Sequence, residues 1–354
     1  ILLTITGLFA LFIAVRASAK GVFPKVATIL FGIAVAWLTY KAIATFNGVS
    51  SLNVTLKITV LIVLGFLVSW LIKGFSKNEK YTLMKALSIG VIAALTIIIV
   101  GCILIQLGYG NQLGIERSDQ KSIFSSGLIT VTILTPSIAL FLRTQDRTAL
   151  ALSLVIMVIF VSLLVGSLAS SVALAAAVVA GGIMFVAKSH GLRIIAIVSV
   201  AVTLSMPITL PVLLDFIDDN FIEYTADGKL AESTHYAGSI THRFLIWRFA
   251  LEKINQHNVM GLGLDTSRNL PGGHTNLGEG RELMPLHPHN ALLQIWLELG
   301  IPGLIIFAAG IWACYTAGQP GNQTILMQSA RATTLVIILV IMASTFGAWQ
   351  SWWN

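Results

Sequence analysis

The residues best suited to chemistry lie in the segment LMPLHPHNALLQIWLELGIPGL, residues 283–304. Here His287 and His289 flank a proline directly before a long apolar run, and Glu298 lies within that run. A histidine titrates near neutral pH, so it is suited to general acid or base chemistry. A His-x-His pair also suits a metal ion, but no third and fourth ligand follow at a conventional spacing, which disfavours zinc.

The apolar run itself carries a polar stripe, because Asn290, Gln294 and Glu298 recur every four residues. Polar groups in a membrane span normally face the bundle interior or a wet cavity. At a rise of 1.5 Å per residue, Glu298 lies about 13 Å below His289 along a helix. We therefore expect Glu298 to be a buried structural partner rather than a second acid. Because proline suits the first helical turn, the helix is expected to begin near His289 or Asn290.

A second helix is predicted over residues 239–258, SITHRFLIWRFALEKINQHN. Its N-cap is expected at Ser239 or Thr241. Its spacing favours an amphipathic helix lying at the membrane surface. The apolar positions are Phe244, Trp247, Leu251 and Ile254.

Three arginines in this part of the chain are candidates for binding phosphate. Arg243 shares a helix face with Trp247, and its planar fork suits phosphate oxygens, either of a substrate diphosphate or of lipid headgroups. Arg268 and Arg281 add cationic groups further along. The intervening Gly-x-Gly at 261–263 is weak evidence for a phosphate loop and more typical of a tight turn.

The composition requires a membrane environment for these residues. Of the 354 residues, 56% are hydrophobic and only 10% are charged, whereas soluble domains carry about 25% charged residues. A spanning helix needs about 20 mostly apolar residues, so we predict an all-α polytopic membrane protein with about 10 transmembrane helices. The candidate spans are roughly 1–15, 26–40, 58–72, 86–107, 126–142, 148–166, 170–187, 194–214, 291–314 and 332–347.

The distribution of charge predicts the topology. Twelve Lys and Arg residues fall in one set of alternating loops and four in the opposite short loops, which places the first set in the cytoplasm. The long segment 215–290 then lies on the outer side. The net charge of +7 is thus explained by loops touching anionic membrane lipids, and no basic patch remains for nucleic acid.

Taken in order, these residues resemble the O-antigen ligase and O-antigen polymerase superfamily of bacterial envelope proteins. The resemblance covers about residues 143–353, which sets a region of N-terminal transmembrane helices, 1–142, apart from a ligase/polymerase-like region, 143–354. Family members are drawn with about twelve spans and one large periplasmic loop containing short helices, so we expect flanking spans to be missing from this chain. The motifs are RTQDRTALAL, RFLIW, GLG and HPHNALLQIWLELGIPGL.

The resemblance implies transfer of a glycan from an undecaprenyl diphosphate carrier, without a cofactor or metal, at the periplasmic face of the bacterial inner membrane. Ligases pass the glycan to lipid A-core, polymerases to another carrier-linked repeat, and a third branch to protein hydroxyls. The late outer loop and the ending FGAWQSWW favour a ligase. His289 is expected to be the catalytic base, and Glu298, Gly300 and Gly303 to be structural. The residues expected to bind diphosphate or acceptor are Arg243, Arg268, Arg281, Trp247, His287 and Asn290.

Two other classes of protein compete with this interpretation. A transporter of lipid-linked glycans should line several spans with polar groups, yet Glu298 is the only Asp or Glu well inside a predicted span. A structural scaffold would not require histidine, asparagine and arginines concentrated on one side. Both alternatives are therefore disfavoured.

Overall fold

The computed structural model describes residues 25–44, 48–109, 117–221, 238–256, 259–277, 282–284, 286–316 and 324–349. Within these residues the fold is all-α, apart from one isolated bridge between Asn276 and Glu282. The helices are α1 (Lys25–Ala44), α2 (Gly48–Gly74), α3 (Lys77–Gln106), α4 (Arg117–Thr144), α5 (Thr148–Val165), α6 (Leu168–Ala187), α7 (Gly191–Phe221), α8 (Gly238–Gln256), α9 (Ala291–Thr316) and α10 (Ile325–Ser344).

The predicted all-α membrane fold is confirmed. Nine of the ten predicted spans coincide with helices, and the stretch 1–15 lies outside the described residues. Among the described residues, six helical runs are long and apolar enough to cross a membrane, and one of these runs joins α6 and α7 through the short turn Lys188–His190. Helix α8 lies within the segment 215–290.

The described residues form two compact units, which interleave along the chain. One unit draws on Ile1–Leu67, Val198–Ala313 and Met342–Asn354, and the other on Val68–Ile197 and Cys314–Ile341. The units therefore cut across the boundary expected at residues 142 and 143. That boundary marks where a sequence resemblance begins, whereas a packing unit depends on which helices share a core.

The first unit is built around a hydrophobic core that α8 and α9 dominate. Its fully buried members include Ile246 of α8 and Leu293 and Leu297 of α9. The apolar face of α8 packs on this core, because Leu251 is buried and Phe244, Trp247 and Ile254 pack against it. The expected amphipathic pattern is therefore present and its apolar face is covered by protein, while the position of α8 at the membrane surface stays a prediction.

The start of α8 also differs from the expected one. The helix begins at Gly238, so Ser239 and Thr241 lie within its first turn rather than at the N-cap. Propensity alone places helix ends to within only a residue or two.

The second unit has a separate core formed by α3, α4, α5 and α6. Leu128 of α4 and Val158 and Val161 of α5 are fully buried there. Gly101 of α3 lies against the Phe124 ring, where an added Cβ would come within 2.5 Å of the ring carbon Cζ. Small residues thus permit close approach of the neighbouring helix.

Helix α9 is not the single continuous span expected over residues 291–314. Its backbone leaves the helical conformation at Gly300, whose φ is 71°. Glycine is the residue that adopts this conformation without strain, and Pro302 suits the first turn of the helix that follows. The pattern Gly-Ile-Pro at 300–302 therefore marks a stop and a restart, which apolarity alone did not reveal.

The loop at residues 259–263 forms hydrogen bonds with the backbone of α9 at the break. The N–H groups of Leu262 and Gly263 donate to the carbonyls of Leu297 and Glu298, at 2.9 and 2.8 Å, and Ile301 N–H donates to the Val259 carbonyl at 2.9 Å. The backbone groups that the break frees are thereby satisfied, as a low-dielectric surrounding requires.

Candidate functional site

The His-Pro-His-Asn turn is held between α8, the start of α9 and the segment that follows α10. The Trp247 indole of α8 donates to the Pro288 carbonyl at 2.8 Å. The backbone N–H of His289 donates to Nδ1 of His287 at 3.1 Å. His289 has a φ of 52°, a left-handed conformation that turns the chain from the loop into the helix. Trp247, which was predicted to bind substrate, therefore stabilises the turn.

The contacts of His289 determine which ring nitrogen is available as a base. Its Nδ1 lies 3.2 Å from the Thr345 carbonyl. A carbonyl only accepts, so we assign the proton to Nδ1 and the lone pair to Nε2. This tautomer presents Nε2 as the proton acceptor, as a general base requires.

His287 is buried next to His289 and accepts a hydrogen bond from the His289 backbone N–H. It is 5% exposed, and its ring centroid lies 4.4 Å from that of His289 in an edge-on arrangement. Burial, together with the charges of His289, Arg268 and Arg243, lowers the pKa of His287 to about 3. His287 is therefore neutral at physiological pH, which lets its Nδ1 accept the bond from the His289 backbone.

Two of the three sequence-predicted arginines act on the histidines: Arg243 on both, and Arg268 on His287. The Arg243 guanidinium donates to the Ser344 carbonyl, and burial lowers the pKa of Arg243. Arg268 is 45% exposed and binds Asp265 Oδ1 through Nε and Nη2, at 3.0 and 2.8 Å. Arg281 lies outside the described residues.

The environment of His289 is electropositive. Burial is the main factor that lowers its pKa, the charges of Arg243 and His242 lower it further, and the bond to the Thr345 carbonyl acts in the opposite direction. A neutral, partly buried imidazole near an arginine is suited to take a proton when an anionic substrate offsets the cation.

Asn290 ends the turn and begins the helix. Its side-chain Oδ1 accepts from the Leu293 N–H at 3.1 Å, so Asn290 is the N-cap of α9, which begins at Ala291. The side chain is 5% exposed. Asn290, which was predicted to bind substrate, therefore has a structural role as the helix cap.

Glu298 and Gln294, the lower members of the polar stripe, are buried and fully engaged. The Glu298 carboxylate accepts from Gln294 Nε2 at 2.9 Å, from Trp349 Nε1 at 2.6 Å, and from the Asp265 N–H. It also accepts from the Ser267 hydroxyl and the Ser267 N–H. The stripe therefore connects α9 to a loop and to the segment after α10.

Gly300 and Gly261 lie back to back at the break in α9. A Cβ on Gly300 would come within 2.2 Å of the Val259 carbonyl oxygen, and one on Gly261 within 2.4 Å of the Gly300 nitrogen. Gly303 is similarly close to Leu299 of the preceding turn. Gly261 and Gly300 thus allow the loop at residues 259–263 to dock against the helix, whereas Gly303 leaves room for the Leu299 side chain.

The structure adds site residues that sequence reasoning missed. Ser344, Thr345 and Gly347 hold or contact the arginine and the histidines, and a Cβ on Gly347 would lie 2.7 Å from His287 Cγ. The ending FGAWQSWW, which starts at Phe346, was taken to favour a ligase, but the Ser344 and Thr345 carbonyls directly before it carry no sequence signal. In addition, the buried Lys41 ammonium of α1 donates to the Met260 and Gly261 carbonyls at 2.9 and 2.8 Å.

Among the residues that the structure describes, no group of three or more His, Cys, Asp or Glu side chains is placed to hold a metal ion. What the arrangement offers is a neutral imidazole with an available Nε2, two nearby guanidinium groups and a buried polar network behind them. Such a set is suited to deprotonating a hydroxyl and neutralising a phosphate.

The chain was compared with known proteins. A family model described as O-antigen ligase matches residues 131–308, a range that begins earlier and ends sooner than the expected 143–353. A protein of Rickettsia conorii and one of Rickettsia felis, both named "putative polysaccharide ligase", are 25% and 24% identical over 327 and 330 residues. Each alignment covers 90% of this chain and 74% or 75% of the relative.

A relative of the same name from Rickettsia prowazekii is 32% identical over 119 residues, 32% of this chain and 29% of that protein. No solved structure matches the chain. The family match covers half of the chain and includes the His-Asn turn and the broken helix that form the site. The chain therefore belongs to the O-antigen ligase family, as its motifs predicted.

Proposed function

We propose that this chain is a membrane glycosyltransferase that moves a glycan such as O-antigen from undecaprenyl diphosphate to lipid A-core, at the periplasmic face of the bacterial inner membrane. The observation that carries the proposal is the state of His289. A backbone carbonyl holds its Nδ1–H, which leaves the Nε2 lone pair available; the charge of Arg243 acts on His289, and the charges of Arg243 and Arg268 act on the neighbouring His287.

The reaction needs little beyond these groups. The acceptor hydroxyl gives its proton to His289 Nε2, and its oxygen forms a bond to the anomeric carbon of the donor sugar. The bond between that carbon and the diphosphate oxygen breaks, and its electron pair leaves with the diphosphate. Arg243 and Arg268 offset the charge of the leaving group, which requires neither a metal nor a cofactor.

A single displacement of this kind inverts the configuration at the anomeric carbon. A retaining glycosidase mechanism needs a carboxylate nucleophile about 5 Å from its acid partner. The nearest carboxylates in the described site have other partners: Asp265 binds Arg268, and Glu298 is enclosed by five donors. The arrangement therefore supports direct attack by the acceptor.

The acceptor decides between related activities. A polymerase would pass the same donor glycan to another carrier-linked repeat, and a protein O-oligosaccharyltransferase would pass it to a protein hydroxyl. The chemistry at His289 is the same in each case. The chain should therefore be introduced side by side into ligase-null and polymerase-null bacteria, and lipopolysaccharide ladders should be compared.

The central prediction concerns His289→Ala, which removes the base. We expect ligase-null cells carrying the wild-type chain to recover O-antigen on lipid A-core, and cells carrying His289→Ala to lose it while retaining inserted protein. The matched control is His190→Ala, which changes an exposed histidine in the turn between α6 and α7. Normal capping by the His289→Ala variant would contradict the proposed base. Recovery in the polymerase-null strain alone would reassign the acceptor.

A further inference from the structure

The buried carboxylate of Glu298 is surrounded by hydrogen-bond donors from three separate parts of the chain. They come from Asp265 and Ser267 in the outer loop, from Gln294 one turn earlier in α9, and from Trp349 after α10. Glu298 itself is 0% exposed. A carboxylate offers lone pairs in every direction that these donors require, whereas a carboxamide would turn an NH₂ group toward one of them.

The first of these connections leads to Arg268. The Asp265 N–H and both donors of Ser267 bind Glu298, and Arg268 directly follows them in the chain. The Arg268 guanidinium is then fixed against Asp265 Oδ1, at 2.8 and 3.0 Å. We call residues 265–268 the loop arm, and its geometry determines where the Arg268 charge lies.

The second connection leads to His289. The Trp349 indole binds Glu298 at 2.6 Å, and the Ala348 N–H binds the Gln294 Oε1 at 2.7 Å. We call residues 344–349 the C-terminal arm. Its Thr345 carbonyl holds His289 Nδ1, and its Ser344 carbonyl accepts from Arg243. The position of this arm therefore determines the tautomer and orientation of the base.

We propose that Glu298 is a positioning residue, which holds the base through the C-terminal arm and a diphosphate-binding arginine through the loop arm. The inference rests on the function proposed above. Glu298 touches no reacting atom, and its effect on transfer passes through the two arms. Such buried partners typically change activity by about 10- to 100-fold when a ligand or base depends on them.

Any buried network stabilises a fold, so loss of stability alone does not test this role. The two arms give a sharper test because each can be cut separately. Ser267→Ala removes the hydroxyl that donates to Glu298 from the loop arm and accepts from Gln294 Nε2 at 3.3 Å, while the loop-arm N–H bonds to Glu298 and the bond from the Ala348 N–H to Gln294 Oε1 remain. Trp349→Phe removes the indole bond of the C-terminal arm. The control is Leu297→Ala, a fully buried apolar neighbour on α9 with no part in the network.

The experiment uses the full chain in proteoliposomes, with an undecaprenyl diphosphate-linked glycan and a lipid A-core acceptor. We expect Ser267→Ala to raise the KM for the donor about tenfold with kcat changed less than about twofold. We expect Trp349→Phe to lower kcat about tenfold with the donor KM nearly unchanged. Glu298→Gln should change both parameters, and Leu297→Ala should lower the melting temperature alone.

The pH profile provides a second measurement on the C-terminal arm. The charged or titratable groups that face His289 are Arg243 and His242 of α8 and His287 of the turn, while Arg268 acts on His287. The bond to Thr345 raises the pKa of His289, so loosening that bond in Trp349→Phe should move the acid limb of kcat to lower pH. Ser267→Ala should leave the limb in place.

The outcomes separate the two proposals. Should both single-arm variants alter the same kinetic parameter, or change only the melting temperature as Leu297→Ala does, Glu298 is structural and its positioning role is wrong. A wild-type protein that neither binds nor transfers the lipid diphosphate donor would overturn both proposals. Transfer by the wild type without separation of the arms would overturn only the positioning role.

Discussion

Two helices of this protein, α3 and α9, are both long and apolar enough to cross a membrane, yet they are stabilised in different ways. Only 22% of the most apolar stretch of α3 is buried within the protein, compared with 72% for α9. The helix with the polar stripe is thus the one enclosed by protein. Polar groups in a membrane span are stabilised only where protein partners replace the lipid.

The ends of the two helices show the same contrast. Helix α3 begins with a local capping box, in which Ser76 Oγ accepts from the Glu79 N–H and Glu79 accepts from the Ser76 N–H at 2.7 Å. Helix α9 begins after its N-cap Asn290, inside a turn whose position depends on Trp247 and Thr345. Local sequence thus defines the start of α3, whereas distant residues fix the turn from which α9 starts.

The largest difference between α9 and α3 is expected when one glycine in each helix is replaced by alanine, which adds a methyl group. Gly300→Ala forces a left-handed residue and a Cβ within 2.2 Å of the Val259 carbonyl oxygen. We expect it to destabilise the protein by about 3–5 kcal/mol. The matched change Gly90→Ala in α3 meets no atom within 4 Å, and should be neutral or stabilise by up to about 1 kcal/mol.

Thermal unfolding in detergent, followed by intrinsic fluorescence, measures both variants. Equal melting temperatures for Gly300→Ala and Gly90→Ala would show that the break in α9 is not a constrained feature.

The second difference between α9 and α3 is expected in the pH dependence of stability, because the turn before α9 carries a buried histidine. The pKa of His287 is about 3 in the folded state and about 6.5 when unfolded, so the unfolded state binds more protons between these values. Stability is therefore complete above about pH 6.5 and falls as the pH is lowered. We expect a loss of roughly 1–2 kcal/mol between pH 7 and pH 5.

His287→Gln, which retains an acceptor for the His289 N–H, should reduce this loss. Melting temperatures at pH 7 and pH 5 measure the effect, with His190→Gln as the control for an exposed histidine. An undiminished pH dependence in His287→Gln would place the responsible group elsewhere.

The smallest expected effects concern the two helix caps. Asn290→Ala should cost about 1–2 kcal/mol, since it removes a buried cap, and should also reduce transfer by displacing His289. Ser76→Ala should cost about 1 kcal/mol or less and leave transfer unchanged, because that cap is exposed and local. Melting curves and transfer assays on both variants test the difference, and equal losses of transfer would contradict it.

Much of the architecture was accessible from the sequence. Long apolar runs predict helices because a backbone in lipid must satisfy its hydrogen bonds internally, and nine of the predicted spans coincide with helices. The family and the residues of the His-Asn turn were also predicted, since their motifs are local. The break at Gly300 was missed, although Gly-Ile-Pro at 300–302 contains its signal.

Other features had no local signal. Lys41 appeared as one cation in a short loop, yet its ammonium is buried against carbonyls about 220 residues away. The apolar face of α8 was predicted, but not that Phe244 and Leu251 pack on the protein core, because periodicity identifies an apolar face without identifying the surface that covers it.

The sequence by itself determined the class of this protein: a helical membrane protein with a polar segment over residues 215–290 and a His-Asn turn at the start of a span. Run length and composition suffice for this, because the bilayer acts on each helix separately. Only the tertiary structure decided which nitrogen of His289 carries the proton and what encloses Glu298. Those features depend on hydrogen bonds between residues such as His289 and Thr345, far apart in the chain, and folding alone brings such partners together.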